Sequence, residues 1–450
     1  MFAKISSMSY CRLMKAFAGL ALLLPASVSG FQAQSWDYPA RWSKSATESS
    51  GKRLQISLES RGRYERWRGP QRDLDVALYR HRLTLSYKPA PWLKLAGAVR
   101  DSRAPGYGPN APSSVRDSAD LHEAYFELFP DRKKGLTLAV GRITLSYGET
   151  RLLATAQWGN VQRTFDTVRA TWRTAKSRTD LLWTSPVRAR LDGFNRPVLG
   201  ERLWGVYSML SEVGGKHNVD LYALRREQNR TAGFLGGSTA DGTDRLGVNT
   251  FGSRATGPAP RGMRYGLEAA VQTGKIGADA HRAFAWASWL SRRWPVGSRS
   301  LELHGEYKHA SGAKDPKPSS AAGTFDSLYP STHDKFGHMD LFGWRNIHYA
   351  KMLATVAVTK SLSVSAMYNS WWLASLRDSL YNASGRPIVR SASGTAGRHV
   401  GQEADLFAAY RFQHFLFGAG GGRMFPGEFL RNTRPAIPRT YLYVMHTYTF

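Results

Sequence analysis

Hydrophobic and polar residues alternate along most of this chain with a period of two. In the segment 54–66, Leu54, Ile56 and Leu58 share one parity, while Glu59 and Arg61 share the other. A β-strand turns successive side chains to opposite faces, so this period predicts strands with one apolar and one charged face. Further segments show the same pattern: 77–87, 124–128, 168–173, 264–272 and 301–308.

The length and composition of these segments favour a membrane strand. A tilted strand needs about 9–11 residues to cross a bilayer. A soluble sandwich also alternates, but it turns its polar face outward and limits its exposed aromatic residues. Here charged residues recur opposite the apolar face, and aromatic residues make up 12% of the chain. Both features predict an all-β protein, a single transmembrane antiparallel β-barrel with aromatic girdles at the two membrane interfaces.

The connections between the segments alternate between short and long. The short ones are 88–91, 130–135, 174–177 and 211–216. The long ones are 101–119, 146–163, 185–200, 227–243, 309–340, 374–400 and 425–438. Outer-membrane barrels have short periplasmic turns and long external loops, and in bacteria an even number of strands. The segments number about 18, and they predict one barrel domain at residues 54–450.

The N-terminus has the pattern of an export signal. A basic stretch precedes an apolar segment at 16–24, which is too short to anchor the chain by crossing the membrane. We predict a cleaved signal peptide at residues 1–30, with its cleavage site defined to within several residues, and a periplasmic segment at 31–53. The alternative is an uncleaved membrane anchor. The only cysteine, Cys11, would leave with the signal, so the mature chain would hold no disulfide.

The C-terminus ends in a strand pattern. Leu442, Val444 and Tyr448 share one parity, and the last residue is Phe450. A final strand with a terminal aromatic residue resembles the signal read by the barrel-assembly machinery of the outer membrane, which we therefore predict as a partner. The alternative is an ordinary edge strand that happens to end in phenylalanine.

The charge of the chain is strongly positive, with 62 Lys and Arg against 34 Asp and Glu, or +28. Such an excess usually indicates nucleic acid or an anionic surface. The cations are scattered through the alternating segments, and the chain carries an export signal, so we predict no nucleic-acid partner. A basic, water-filled lumen that attracts anions explains the same charge. The predicted partners are outer-membrane lipid, lipopolysaccharide and an anionic solute.

Several short motifs, in order, resemble those of the alginate-export family of outer-membrane proteins. In the first half they are Leu121-His122-Glu123-Ala124-Tyr125, Val140-Gly141-Arg142, Leu145-Ser146-Tyr147-Gly148, Arg151-Leu152-Leu153, Trp158-Gly159-Asn160 and Arg163-Thr164-Phe165-Asp166 with Val168-Arg169. In the second half they are Phe325-Asp326-Ser327-Leu328-Tyr329-Pro330, His333-Asp334-Lys335-Phe336-Gly337, Trp344-Arg345-Asn346-Ile347, Trp372-Leu373-Ala374, Asp378-Ser379-Leu380-Tyr381 and Gly401-Gln402-Glu403-Ala404-Asp405-Leu406. The resemblance covers roughly residues 55–450.

The resemblance implies an 18-stranded barrel whose lumen is narrowed by arginines and passes an anionic polyuronate such as alginate outward. Guanidinium groups stay ionised and fork onto carboxylates, so a basic lumen is suited to such a solute. The chain departs from the alginate exporter at the last short turn. Gln413 and His414 leave no room there for the long periplasmic loop expected of that exporter.

Arginines on these motifs and on the charged faces are the candidate pore-lining residues. The first group comprises Arg142, Arg151, Arg163 and Arg169, with Asp166 as a carboxylate that orients them. The second group, placed by alternation alone, comprises Arg63, Arg80 and Arg82. Arg151 and Arg163 lie in a predicted loop and reach the pore only if that loop folds inward. The alternative is that these arginines form lumen salt bridges, with Glu123, Glu127 and Asp166, that select nothing.

Other chemistry finds little support in the sequence. Twelve histidines are present, but no metal-binding spacing of the HExxH type appears. We therefore predict no metal and no cofactor. An outer-membrane protease or phospholipase would need a Ser/His or Asp/His group on adjacent strand ends. No such spacing is visible, so we predict that the protein is not an enzyme. A channel and a plugged structural or adhesive barrel remain, and conductance would separate them.

Overall fold

A computed structural model describes residues 53–70, 73–108, 111–191, 193–229, 245–315, 322–333 and 335–450. The predicted signal peptide, residues 1–30, lies outside these ranges, as does the predicted periplasmic segment 31–53 except for its last residue. No helix in the described ranges is long and apolar enough to cross a membrane.

Eighteen antiparallel strands form the wall, as the sequence predicts. In the first half they are β1 (Leu54–Arg68), β2 (Leu74–Ala90), β3 (Leu93–Arg103), β4 (Asp117–Leu128), β5 (Gly135–Ile143), β6 (Phe165–Arg173), β7 (Ser177–Arg188), β8 (Glu201–Val213) and β9 (His217–Gln228). In the second half they are β10 (Leu246–Ala259), β11 (Met263–Ile276), β12 (Asp279–Val296), β13 (Arg299–Ala310), β14 (Ile347–Ala357), β15 (Leu362–Leu373), β16 (His399–Phe412), β17 (Phe415–Pro426) and β18 (Thr440–Thr449).

Smaller elements lie in the connections. A short helix, α1 (Glu428–Thr433), follows β17, and a single 3-10 turn (Pro260–Gly262) joins β10 to β11. Two-residue and three-residue strands occur at Arg196–Pro197, Leu380–Tyr381 and Pro387–Val389. They tie the external connections to the ends of neighbouring strands or to each other and do not join the wall.

The wall closes because each strand pairs with the next and β18 pairs with β1. The closing register runs from Glu59 opposite Thr449 to Arg68 opposite Thr440. Beyond it, Leu58 and Phe450 exchange two backbone hydrogen bonds of 3.0 and 2.9 Å. The amide and the carbonyl of Phe450 are thus both hydrogen-bonded within the sheet. A closed sheet leaves no edge exposed to lipid.

Side chains divide between the two faces by parity. On β1, Leu54 and Ile56 are exposed on the outer face, while Glu59 and Arg61 are buried on the lumen face. A barrel in lipid exposes the apolar face of its wall to the hydrocarbon. The polar and charged side chains of the strands therefore face inward, the reverse of a soluble protein. The alternation in the sequence therefore predicts correctly which face of these strands is which.

The connections differ in length at the two ends of the barrel. One end carries the short turns 91–92, 129–134, 174–176, 214–216, 260–262, 297–298, 358–361 and 413–414. The other carries the longer connections 104–116, 144–164, 189–200, 229–245, 311–346, 374–398 and 427–439, together with the short 69–73 and 277–278. Both ends of the barrel sequence lie at the short-turn end, which is the periplasmic end of such barrels.

Two of the long connections fold into the barrel. We call residues 144–164 the first inner loop and the described residues of 311–346, namely 311–315, 322–333 and 335–346, the second inner loop. Leu153 and Tyr329 form a parallel bridge between them. The amide of Tyr329 donates to the carbonyl of Leu152 at 2.8 Å, and the amide of Ser331 donates to that of Thr150 at 2.9 Å. The two inner loops therefore meet inside the wall as one paired unit.

The hydrophobic core of the protein lies inside the barrel, around the second inner loop. Phe325, Phe336, Phe342 and Trp344 of that loop are buried, as is Trp371 on the facing wall. Phe325 packs edge-on against Trp344, with ring centroids 5.4 Å apart, and Phe342 against Trp371 at 5.1 Å. These contacts fix the second inner loop by aromatic packing as well as by polar contacts.

Gly141 on β5 occupies a backbone position that excludes a side chain. Its φ is +132°, and a Cβ would lie 2.2 Å from the carbonyl oxygen of Ala124. We expect Gly141→Ala to lower the free energy of unfolding by about 2–3 kcal/mol, because strain and a backbone clash act together. Gly214→Ala is the control, since that turn has positive φ but open space, and should cost about 1 kcal/mol. Equal urea midpoints for the two variants would contradict this account.

Candidate pore

The three arginines placed by alternation, Arg63, Arg80 and Arg82, all lie on the lumen face, and each already contacts a carboxylate. Glu59 accepts from both Arg80 and Arg82, at 2.7 and 2.9 Å. Arg63 pairs with Glu65 at 2.6 Å. A guanidinium already paired with a buried carboxylate has little charge left for a solute.

Arg63 and Arg80, together with Arg61 on β1, also hold the first inner loop. Arg61 and Arg80 donate to the carbonyls of Gln157 and Gly159 at 2.8–3.1 Å. Arg63 donates to the carbonyl of Trp158 at 2.8 Å, and its guanidinium lies 4.1 Å from the centroid of the Trp158 ring. The tip of the loop is therefore fixed to the wall of β1 and β2.

Arg151, in the N-terminal half of the same loop, fixes that half to the opposite wall, at β11 and β13. It contacts Glu149 at 2.8 Å, Glu268 on β11 at 2.9 Å and Glu306 on β13 at 2.5 Å. Burial alone would raise the pKa of Glu149, but Arg151 and Arg254 reverse this and lower that pKa to about 2. The carboxylate is thus ionised at neutral pH, and the loop crosses the lumen between two charged anchors.

Arg163 connects the two inner loops through backbone carbonyls. It donates to Ala154 at 2.9 Å, to Tyr329 at 2.8 Å and to Pro330 at 3.2 Å. Burial lowers the pKa of Arg163 to about 10, so its charge is retained at neutral pH. Both loop arginines of the sequence prediction therefore reach the interior, because the first inner loop folds inward. There they hold the loops together.

Arg142 and Asp166 do not face the lumen, and for this pair the predicted placement is wrong. Arg142 has the parity of exposed Leu136 on β5, and Asp166 that of exposed Trp172 on β6. They pair with each other at 2.8 Å, and Arg142 also donates to the carbonyl of Leu121 at 3.3 Å. These two residues were selected from a family motif without regard to the alternation, and the alternation places this ion pair on the outer face.

Arg169 does face the lumen from β6, together with Arg173. Within the described residues, no carboxylate lies within ion-pair distance of either guanidinium, and Arg173 donates only to Thr137, at 3.0 Å. Arg178, opposite Arg173 on β7, is paired with Asp180 at 2.7 Å. Arg173 was not among the predicted pore residues, although its parity in the sequence is that of Arg169.

The predicted salt-bridge alternative names carboxylates that mostly contact other groups. Glu123 accepts from the amide and hydroxyl of Thr144, at 3.1 and 2.9 Å, and Glu127 lies 3.8 Å from Lys94. The lumen salt bridges that the structure contains use different acids, chiefly Glu59, Glu268 and Glu306. Sequence reasoning identified the kind of network but not its carboxylates.

A second buried network was missed altogether. Arg226 on β9 contacts Glu201 on β8 and Asp326 of the second inner loop, both at 2.9 Å. Gln272 on β11 donates to the carbonyl of Asp326 at 2.7 Å. The parity of Arg226 marks it as lumen-facing, but its partner Asp326 lies 100 residues away in sequence. This network fixes the second inner loop as Arg151 fixes the first.

Within the described residues, no group of three or more His, Cys, Asp or Glu side chains is arranged to hold a metal ion.

Comparison with known families settles the relationship suggested by the motifs. The sequence model of the alginate-export family matches residues 48–442. The chain belongs to the alginate-export family. No protein with a curated description matches it by sequence.

Solved structures with the same fold include several proteins of Pseudomonas aeruginosa. OccK2 (OpdF) is 11% identical, with a TM-score of 0.59 over 88% of this chain and 97% of that one. OccD3 (OpdP) is 13% identical, with a TM-score of 0.57 over 89% and 91%. OpdK with vanillate is 10% identical, with a TM-score of 0.56 over 88% and 98%. Together with the family and the closed barrel, this fold makes the protein an outer-membrane channel.

Proposed function

We propose that this channel passes anions that carry carboxylates, including uronates and, in polymeric form, an acidic polysaccharide such as alginate. The observation that carries the proposal is the pair Arg169 and Arg173. Both face the lumen, and neither has a carboxylate partner within the described ranges. A guanidinium in this state offers two parallel donors that match a carboxylate.

Three other lumen arginines support this assignment by contrast. Arg80, Arg151 and Arg226 each contact buried carboxylates and hold the wall or the inner loops in place. Their role is structural, since a solute would have to displace a protein carboxylate to reach them. In a narrowed lumen, unpaired cations raise the local concentration of anions and oppose the entry of cations.

The compounds crystallised with two proteins of the same fold are carboxylates, the class of solute proposed here. OccK2 (OpdF) has been crystallised in complex with glucuronate, with a TM-score of 0.56 and 11% identity to this chain. OpdK has been crystallised with vanillate. At such identity the likeness concerns the fold alone, so the case for carboxylates here rests on Arg169 and Arg173.

A second candidate function has its own observation. The two inner loops meet across the lumen and bury an aromatic core around Trp344 and Phe325. A lumen filled in this way also suits a structural or adhesive barrel that transports nothing. The two candidates differ in whether the protein conducts ions at all.

The experiment measures the ratio of anion to cation permeability of the refolded protein. It does so from the reversal potential in a planar bilayer under a salt gradient. We expect open channels that prefer chloride over potassium, and a current that glucuronate reduces. Arg169→Glu with Arg173→Glu should lower the chloride preference severalfold or reverse it, because two lumen cations become anions.

Arg423→Glu is the matched control. Arg423 is an exposed arginine on the outer face of β17, so it changes the net charge without touching the lumen and should leave the selectivity as in the wild type. A cation preference in the wild type, or equal selectivity in all variants, would disprove the role of Arg169 and Arg173. The absence of any conductance would favour the structural barrel.

A further inference from the structure

Basic residues cluster on the outer face of strands β8 to β12, near the end that carries the long connections. The cluster comprises Arg202, Arg225, Lys275 and Arg282, and we call it the outer basic patch. In the strand register, Arg202 lies opposite Glu227 and Glu227 lies opposite Gly247. Gly247 in turn lies opposite Lys275. These residues therefore form one row across four adjacent strands.

A second row lies two residues nearer the short-turn end. It runs from Trp204 through Arg225, Asn249 and Thr273 to Arg282. Lys275 and Arg282 are thus diagonal neighbours on adjacent strands, a position in which Cβ atoms are roughly 7–8 Å apart. Two cations at this spacing can contact the same phosphate group.

The patch lies at the border of the apolar belt. The next outward row towards the short-turn end contains Phe251, Val271 and Phe284, all exposed and all in register. Arg282 directly precedes this row on β12. Because the long connections are external, the patch lies at the level of the head groups of the outer leaflet.

The charge of the patch is poorly balanced. Within the described residues, Glu227 is its only carboxylate, and Arg225 pairs with it at 2.7 Å. Arg202, Lys275 and Arg282 are exposed and have no carboxylate within ion-pair distance there, although Arg202 lies 5.6 Å from the ring centroid of Trp183. Three exposed cations beside lipid need anionic partners.

Gly247 gives the patch its shape. A Cβ at this position would lie 3.2 Å from a terminal nitrogen of Arg225. The guanidinium of Arg225 therefore extends across β10 towards Lys275, over the space that the missing side chain leaves. Asn249 accepts from it at 2.9 Å and holds it there. The patch is thus an ordered surface with Arg225 near its centre.

We infer that the outer basic patch binds the phosphate groups of lipopolysaccharide through its lipid A portion. Phosphorylated glycolipid is the anionic lipid of the outer leaflet, where the patch lies. Arginine and lysine at the head-group level contact phosphates by charge-assisted hydrogen bonds, while the row of Phe251, Val271 and Phe284 contacts the acyl chains. This site is separate from the lumen and independent of the transported solute.

The test measures lipid A bound to the purified protein in detergent by native mass spectrometry. Bisphosphorylated lipid A and its dephosphorylated form are titrated in parallel. We expect Lys275→Ala with Arg282→Ala to weaken binding of the bisphosphorylated lipid about tenfold, and dephosphorylated lipid A to bind the wild type as weakly. High salt should weaken the wild-type complex as well.

Arg423→Ala is the control, because Arg423 is an exposed outward arginine on β17 whose direct neighbours on the two adjacent strands, Ala404 and Thr440, are uncharged. It should bind the lipid as the wild type does. Circular dichroism establishes that each variant is folded. Equal binding of the two lipid forms by the wild type would overturn the inference. So would unchanged binding by the double variant, or an equal loss in Arg423→Ala.

Discussion

Replacing Arg151 with alanine should lower the free energy of unfolding by about 3–5 kcal/mol, since removing one partner of a buried ion pair leaves the other charge without compensation. Arg151 contacts three carboxylates, and it is buried. Glu306 keeps Lys308 and Lys351 at 3.1 and 2.7 Å. Within the part of the chain that the structure describes, Glu268 keeps only the hydroxyl of Tyr222, at 3.3 Å. Most of the loss should therefore come from Glu268.

Urea unfolding of the refolded barrel measures this loss. Arg151→Lys should fall between the wild type and Arg151→Ala, because it keeps the charge but loses the forked geometry. Arg142→Ala is the matched control, since it removes a partly exposed ion pair on the outer face, and should cost about 1 kcal/mol or less. If Arg151→Ala were no less stable than Arg142→Ala, the first inner loop would not depend on this anchor.

Shortening the second inner loop should open the lumen. Replacing residues 322–341 with a short Gly-Ser linker removes Phe325, Tyr329 and Phe336, which fill the interior. A barrel of 16–18 strands is wide enough to hold an aqueous channel. We therefore expect the single-channel conductance to rise severalfold in a planar bilayer.

The control shortens an external connection by a similar edit. Residues 391–396 lie in the connection between β15 and β16 and are mostly partly or fully exposed. Replacing them with two glycines should leave the conductance as in the wild type. A folded 322–341 variant with unchanged conductance would show that this loop does not limit the passage of ions.

The wall was readable from the sequence because its determinants are local. Alternation shows which of Leu58 and Glu59 faces lipid, and the same rule correctly placed Arg63, Arg80 and Arg82 on the lumen face. Turn residues and loop lengths then gave the strand count. Each of these signals lies within a few consecutive residues.

The interior could not be read in the same way. The partners of Arg151 and Arg226 come from strands and loops far along the chain, and no local pattern indicates that residues 144–164 fold inward. Arg142 was predicted as a pore residue because of the resemblance to the family. Its parity on β5 indicates the outer face instead. The pore role of Arg169 stays a prediction from the sequence and that of Arg173 a proposal from the structure, and the selectivity experiment addresses both.

The contact between the inner loops has a consequence for the order of assembly. Arg163 and Tyr329 lie 166 residues apart in sequence, so the first inner loop is made long before its partner exists. Contacts of such high sequence separation form late and slow the folding of a chain. The first thirteen strands are therefore made before the second inner loop exists, and until then Arg163 lacks its contacts with Tyr329 and Pro330. The lumen can be completed only once β13 and β14 deliver the second inner loop, so insertion of the wall and filling of its interior are coupled steps.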